Sequence, residues 1–183
     1  MALEDELGTV AGVAQAHAGP GETLVGVVAA EPSAGRRLYL CAYTRGESLG
    51  WLVVDHAGSP LQDRTLVRDT VSITALCELA EETAGGGDLP ALRAELATLR
   101  ATEAPDGIEA AEEAAMALEA TLRVPPRVAS PAYLDEIGSA AQRLERALGE
   151  VGGSPFAEAM RVGAGAIEEL TRDVEHGYKR PLG

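Results

Sequence analysis

Aromatic residues and lysine are scarce in this chain. Only 3% of its 183 residues are aromatic, although 46% are hydrophobic. A core with few aromatic rings must be filled by leucine, valine and alanine, which favours closely packed helices and thin layers. Lys179 is the single lysine, so no internal lysine is present to form a Schiff base with a substrate.

Cysteine and long apolar runs are also in short supply. The two cysteines, Cys41 and Cys77, are too few for a disulfide framework, and their spacing fits no zinc motif. The longest apolar run, TLVGVVAA, is too short to cross a bilayer, and the opening MALEDELG is acidic where a leader would be basic and apolar. We therefore expect a cytoplasmic protein with no membrane contact.

A cluster of basic residues is missing as well. The net charge is −14, and residues 1–87 and residues 88–183 contribute equally to it. Phosphate backbones need clustered arginine and lysine, so this charge distribution argues against nucleic-acid binding. Phosphate-binding glycine motifs and the GxSxG nucleophile motif are absent too, which leaves enzymatic activity uncertain and gives no reason to expect a cofactor.

The hydrophobic pattern that is present predicts an α+β fold. Apolar residues from Leu3 to His17 recur at steps of four and three, which predicts an N-terminal helix. We interpret His17 as a partner for the unpaired carbonyls at the end of that helix. Three β-rich runs follow at 23–31, 37–45 and 49–56 with short connections, which indicates an antiparallel meander. Residues 61–68 read as a short fourth strand or an irregular edge.

From residue 70 onward the sequence predicts about five helices that form a bundle. Their apolar stripes recur at steps of three and four, and short loops that contain Gly or Pro separate them. Residues 1–84 would hold the first helix, the sheet and one covering helix, and residues 85–183 the rest of the bundle, packed with the first part as one compact unit. The predicted stripes lie at 73–84, 89–99, 108–122, 134–151 and 156–174.

The scarce residues gather in one predicted hairpin, YLCAYTRGESLGWLVVDHAG. If RGES is a tight turn, Arg45 pairs with Ser48 and Cys41 lies opposite Leu52, several residues from His56. A Cys41–His56 nucleophile pair is therefore not expected. Each face of the hairpin is apolar, so helices, a second subunit or a ligand should cover both. The candidate ligand or interface residues are those of one face: Tyr39, Cys41, Tyr43, Leu52 and Val54.

A second group of residues has the spacing of metal ligands. Glu169, Asp173 and His176 lie at i, i+4 and i+7 of the last predicted helix, opposite its apolar stripe. A solvated charge pattern explains them without a metal, and we keep them only as weak candidates for a metal bridging subunits.

Two functions remain after these exclusions. The first is non-enzymatic protein–protein interaction, in which the chain acts as a homodimer, or with another protein, in regulation or assembly. The alternative is a small-molecule sensor or enzyme with a pocket on the face that carries Tyr39, Cys41 and Tyr43.

Overall fold

The computed structural model describes residues 2–85, 89–123 and 127–151. The fold of these residues is α+β, as the sequence predicts. The chain divides into two compact units. Of the described residues, unit 1 contains 2–75 and 127–131, and unit 2 contains 76–85, 89–123 and 132–151.

Unit 1 begins with helix α1 and a three-stranded antiparallel meander. The elements are α1 (Leu3–His17), β1 (Thr23–Ser33), β2 (Arg36–Arg45) and β3 (Ser48–Val54). In the β2–β3 hairpin, Arg45 pairs with Ser48 and Cys41 with Leu52. The predicted hairpin register is therefore confirmed, because a two-residue turn fixes the pairing of every later residue.

The sheet is mixed, so the prediction of a purely antiparallel sheet is wrong. Strand β4 (Val128–Ala129) pairs parallel with β1, and the strand order is β3-β2-β1-β4. Residues 61–68 do not form the fourth strand that the sequence suggested there. Helix α2 (Arg64–Gly85) begins within them, because the Asp63 carboxylate accepts hydrogen bonds from the backbone N–H groups of Thr65 and Leu66 and so caps the helix.

Helices cover the two faces of the unit 1 sheet to different extents. On one face, α1 packs through Val10 and Ala14 against the row of residues that begins with Tyr39. On the other face, the first turns of α2 pack through Leu66, Val67 and Val71 against the end of the sheet that contains Leu38 and Val53. The two faces therefore have separate small cores, and the hairpin end of the second face lies outside both.

Unit 2 consists of helices. After the unit 2 part of α2 come α3 (Leu89–Thr102), α4 (Ile108–Arg123) and α5 (Pro131–Val151). Helices α3 and α4 pack together, and ion pairs of Arg93 with Glu119 and of Arg100 with Glu112 connect them. The predicted apolar stripes are confirmed in these three helices, whose buried large side chains are Leu89, Leu92, Leu96, Ile108, Leu118, Leu134, Ile137, Leu144 and Leu148.

Four helices follow the β2–β3 hairpin within the described residues, where the sequence predicts about five. The fifth predicted stripe, at 156–174, lies outside the described residues. Its last part contains Glu169, Asp173 and His176, so those three candidates lie outside them as well.

Candidate functional site

The predicted candidate residues do come together, but they lie beneath helix α1. Tyr39 and Cys41 are at most 1% exposed and Tyr43 is 7% exposed. Val54 is fully buried in the same cluster, and Leu52 packs against it while partly buried. The cover of this face, which the sequence left open between a helix, a subunit and a ligand, is α1.

Both tyrosine hydroxyls are used to hold α1 on the sheet. The Tyr43 hydroxyl donates to the carbonyl of Ala14 at 2.8 Å. This carbonyl belongs to the last turn of α1, where carbonyl groups lack hydrogen-bond partners within the helix. The Tyr39 hydroxyl donates to the carboxylate of Glu6 at 2.8 Å, and Arg37 donates to the same oxygen at 3.0 Å. These bonds tie both ends of α1 to strand β2.

The surroundings of Tyr39, Cys41 and Glu6 shift the pKa values of these three side chains. Burial, together with the bond to Glu6, raises the pKa of Tyr39 to about 12. Burial also raises the pKa of the Cys41 thiol to about 11. Hydrogen bonds from Tyr39 and Arg37 lower the pKa of Glu6. Near neutral pH Cys41 is therefore a protonated thiol, which is a poor nucleophile.

The loop after β3 fixes the C-terminal end of α1. The Asp55 carboxylate accepts hydrogen bonds from the N–H groups of Ala57 and Ser59, which shapes the loop. The Nε2 atom of His17 lies 3.0 Å from the carbonyl oxygen of Gly58, so the imidazole donates from Nε2. His17 thus bonds a carbonyl of this loop, and not the carbonyls of its own helix as the sequence suggests.

A cleft of about 840 Å³ opens beside the Tyr39 end of the sheet. Residues of α1, the β1–β2 turn and the loop after β3 line it, among them Arg36, Tyr39, His56 and Gln62. Glu6, Asp55 and Asp63 also line the cleft, but Glu6 is paired with Arg37 and both aspartates accept backbone N–H hydrogen bonds. Arg36 forms no ion pair within the described residues. Arg36 is therefore the cation that an anionic group entering the cleft would meet.

The hairpin end of the sheet carries an exposed apolar patch that is not among the candidate sites predicted from the sequence. This hairpin patch consists of Leu49, which is 69% exposed, and Trp51, the only tryptophan, which is 50% exposed. Their β2 partners are Thr44 and Ala42, and Val25, also exposed, is the extra residue of a bulge in β1 opposite Ala42. The signal was available in the sequence as alternating apolar residues on a strand next to a turn.

Two classes of site are not found within the described ranges. No group of three or more His, Cys, Asp or Glu side chains converges there as metal ligands would. In the same ranges, every helix is either too short or too polar to cross a bilayer. On α2, the Cys77 thiol is buried while Glu78 and Glu82 are exposed, so these acids do not surround the thiol.

No protein-family model, curated protein or solved structure matches this chain.

Proposed function

We propose that this chain functions by protein–protein contact, as a homo-oligomeric regulatory or assembly protein without catalytic activity. The observation that supports the proposal best is the hairpin patch, Leu49 and Trp51, on a strand at the edge of the sheet. Exposed apolar side chains that lie together mark interaction sites, and tryptophan is among the residue types enriched at the centre of binding surfaces.

The charge of the chain restricts where two copies can meet. Each copy has a net charge of −14, so most surfaces repel each other on approach. Strand β3 contains no charged residue from Ser48 to Val54. A contact made there removes apolar surface from water, worth roughly 25 cal/mol per Å², without placing acidic groups against each other.

A charge introduced into the hairpin patch should separate the oligomer. In the Leu49→Lys variant, each interface would contain two buried, unpaired ammonium groups. Burying each of them would weaken the binding free energy by about 2 kcal/mol or more. The dissociation constant of a symmetric dimer should therefore rise about 1,000-fold. Light scattering coupled to gel filtration over a concentration series measures it, and the emission wavelength of Trp51 reports exposure of the patch in the same samples.

Met116→Lys is the matched control for this experiment. Met116 on α4 is 55% exposed and lies outside the hairpin patch, so its replacement should leave the dissociation constant unchanged. A wild-type protein that stays monomeric at about 100 µM, where even weak specific contacts form, would contradict the proposal.

The cleft next to Tyr39 supports a second function, binding of a small anionic molecule. Its volume of about 840 Å³ is within the range of small-molecule sites, and Arg36 offers a guanidinium suited to a carboxylate or phosphate group. The site differs from the predicted pocket, because of the three residues Tyr39, Cys41 and Tyr43 only Tyr39 lines the cleft.

A thermal-shift screen of carboxylate and phosphate metabolites tests this second function. A ligand at about 100 times its dissociation constant adds roughly 2.7 kcal/mol of stability, or a rise of about 5–10 °C in melting temperature for a chain of this size. Arg36→Ala should remove the shift, whereas Arg64→Ala, the same change at an exposed arginine outside the cleft, should keep it. A shift that survives Arg36→Ala would refute binding at this site.

A further inference from the structure

We infer that the partner at the hairpin patch is a second copy of this chain, and that the two β3 strands pair antiparallel across a two-fold axis at Gly50. The inference rests on the proposed function and specifies its interface: two four-stranded sheets would join edge to edge. It follows from the free backbone groups of β3, the stretch of edge left open, and the symmetry of that stretch.

Among the described residues, no backbone partner occupies the outer edge of β3 where the hairpin patch lies. The carbonyl of Val53 points away from β2, since it accepts a hydrogen bond from the N–H of Leu61 at 3.0 Å. Alternate residues of a strand direct their N–H and C=O groups to the same side. Leu49 and Trp51 therefore point theirs outward as well, and no backbone hydrogen bond to them on that side is present within the described residues.

The chain itself closes one end of this edge. Val54 forms a bridge with Pro60, so the edge is occupied from Val53 onward. At the other end, Gly46 and Glu47 form the turn from β2. The stretch that the described part of the chain leaves open is thus 48–52, and its midpoint is Gly50.

The stretch 48–52 can pair with the same stretch of a second copy in one register that uses all the outward backbone groups of Leu49 and Trp51. Leu49 of each copy lies opposite Trp51 of the other, and the two pairs exchange four hydrogen bonds. Gly50 then lies opposite Gly50 of the second copy. Registers centred on Leu49 or on Trp51 leave outward groups of the other residue unpaired, which is costly in an interface.

The side chains fit the same register. Leu49 and Trp51 lie on the same face of β3, so each tryptophan ring would lie beside the leucine of the second copy, as cross-strand pairs do. On the opposite face, Gly50 has no atom within 4 Å of the position that a Cβ would take. No charged residue between Ser48 and Val54 opposes the approach of the second copy, and the edge lacks the lysine, proline or bulge that usually prevents such pairing.

A cysteine at the two-fold axis tests the register. Directly opposite residues of a non-hydrogen-bonded pair have Cα atoms about 4.5 Å apart, within the range of about 4.4–6.8 Å that a disulfide spans. Gly50→Cys should therefore form a covalent dimer nearly completely under oxidised glutathione. Ser48→Cys, an exposed position on the same strand, would place the two Cα atoms about 14 Å apart and should form little covalent dimer. The native cysteines are buried, and wild-type protein treated alike controls for them.

The outcomes separate this inference from the proposed function. A dimer by light scattering whose Gly50→Cys form does not cross-link, or cross-links no faster than Ser48→Cys, overturns the register while self-association stands. A monomeric wild-type protein overturns both. Hydrogen exchange on the wild-type protein gives a readout that needs no variant: the amides of Leu49 and Trp51 should exchange at least tenfold faster on dilution below the dissociation constant, and that of Gly50 should not change. Equal behaviour of all three amides would also overturn the register.

Discussion

Replacing Gly58 by alanine should destabilise the protein by roughly 3 kcal/mol, from backbone strain of about 1–2 kcal/mol and overpacking of about 1–3 kcal/mol. Gly58 has a φ of +77°, and a Cβ there would lie 2.4 Å from Cγ1 and 2.7 Å from Cβ of Val13 on α1. The Val13 side chain can rotate its methyl groups away, but its Cβ is fixed to the helix backbone. The loop or α1 must therefore move, and the bond from His17 to the Gly58 carbonyl is strained by either movement.

Gly35→Ala is the matched control for Gly58→Ala. Gly35 has a φ of +74°, yet nothing lies within 4 Å of the position of its Cβ. That substitution should show the backbone strain alone, about 1–2 kcal/mol. Urea unfolding of both variants measures the difference, and equal losses of stability would show that the loop does not hold α1 as closely as the structure has it.

Raising the pH from about 9 to 12 should remove roughly 5 kcal/mol of stability, through Cys41 and Tyr39 together. Burial raises the pKa of Cys41 from 9.0 to about 11, and burial with the bond to Glu6 raises that of Tyr39 from 10.0 to about 12. Because both pKa values are higher in the folded state, the folded state binds more protons and is favoured. This contribution is complete below about pH 9 and is lost as the pH rises through 9–11 for Cys41 and 10–12 for Tyr39, at about 1.4 kcal/mol per pKa unit.

The variant Tyr39→Phe separates the two groups. Its stability should still fall between about pH 9 and 11 because Cys41 remains, but the further loss up to pH 12 should shrink to the share of Tyr43, whose pKa burial also raises. Unfolding free energies from urea titrations at each pH measure this, with tyrosinate absorbance as the probe of ionisation. A wild-type stability that stays constant through this range would show that neither group is held in the buried environment described.

The strand register could be predicted from the sequence, but the cover of each sheet face could not. A two-residue turn at Gly46 and Glu47 dictates which residues of β2 and β3 face each other, whatever surrounds them. Both faces of the hairpin read as apolar, so α1 could have packed on either. The face on which α1 packs is fixed by contacts between residues far apart in sequence, such as Tyr39 with Glu6 and Tyr43 with Ala14. The hydrophobic periodicity of the sequence does not encode such contacts.

The hairpin patch escaped prediction for a related reason. An apolar strand face indicates that something covers it, but not how far the cover extends. Because α2 starts at Arg64 and packs on the end of the sheet with Leu38 and Val53, the far end with Leu49 and Trp51 is left exposed. Strand β4 was missed because two residues, Val128 and Ala129, are too few to show any alternation.

The position of β4 in the sequence also determines when the sheet is completed during synthesis. A chain leaves the ribosome from its N-terminus, so β1 is synthesised about a hundred residues before the strand that flanks it, and the segments of α2, α3 and α4 all emerge in between. During that interval the nascent sheet has two open edges, at β3 and at β1, both of which can recruit foreign strands. The arrival of Val128 and Ala129 covers that second edge at Ala29 and Ala30, whereas the stretch 48–52 of β3 stays available for association.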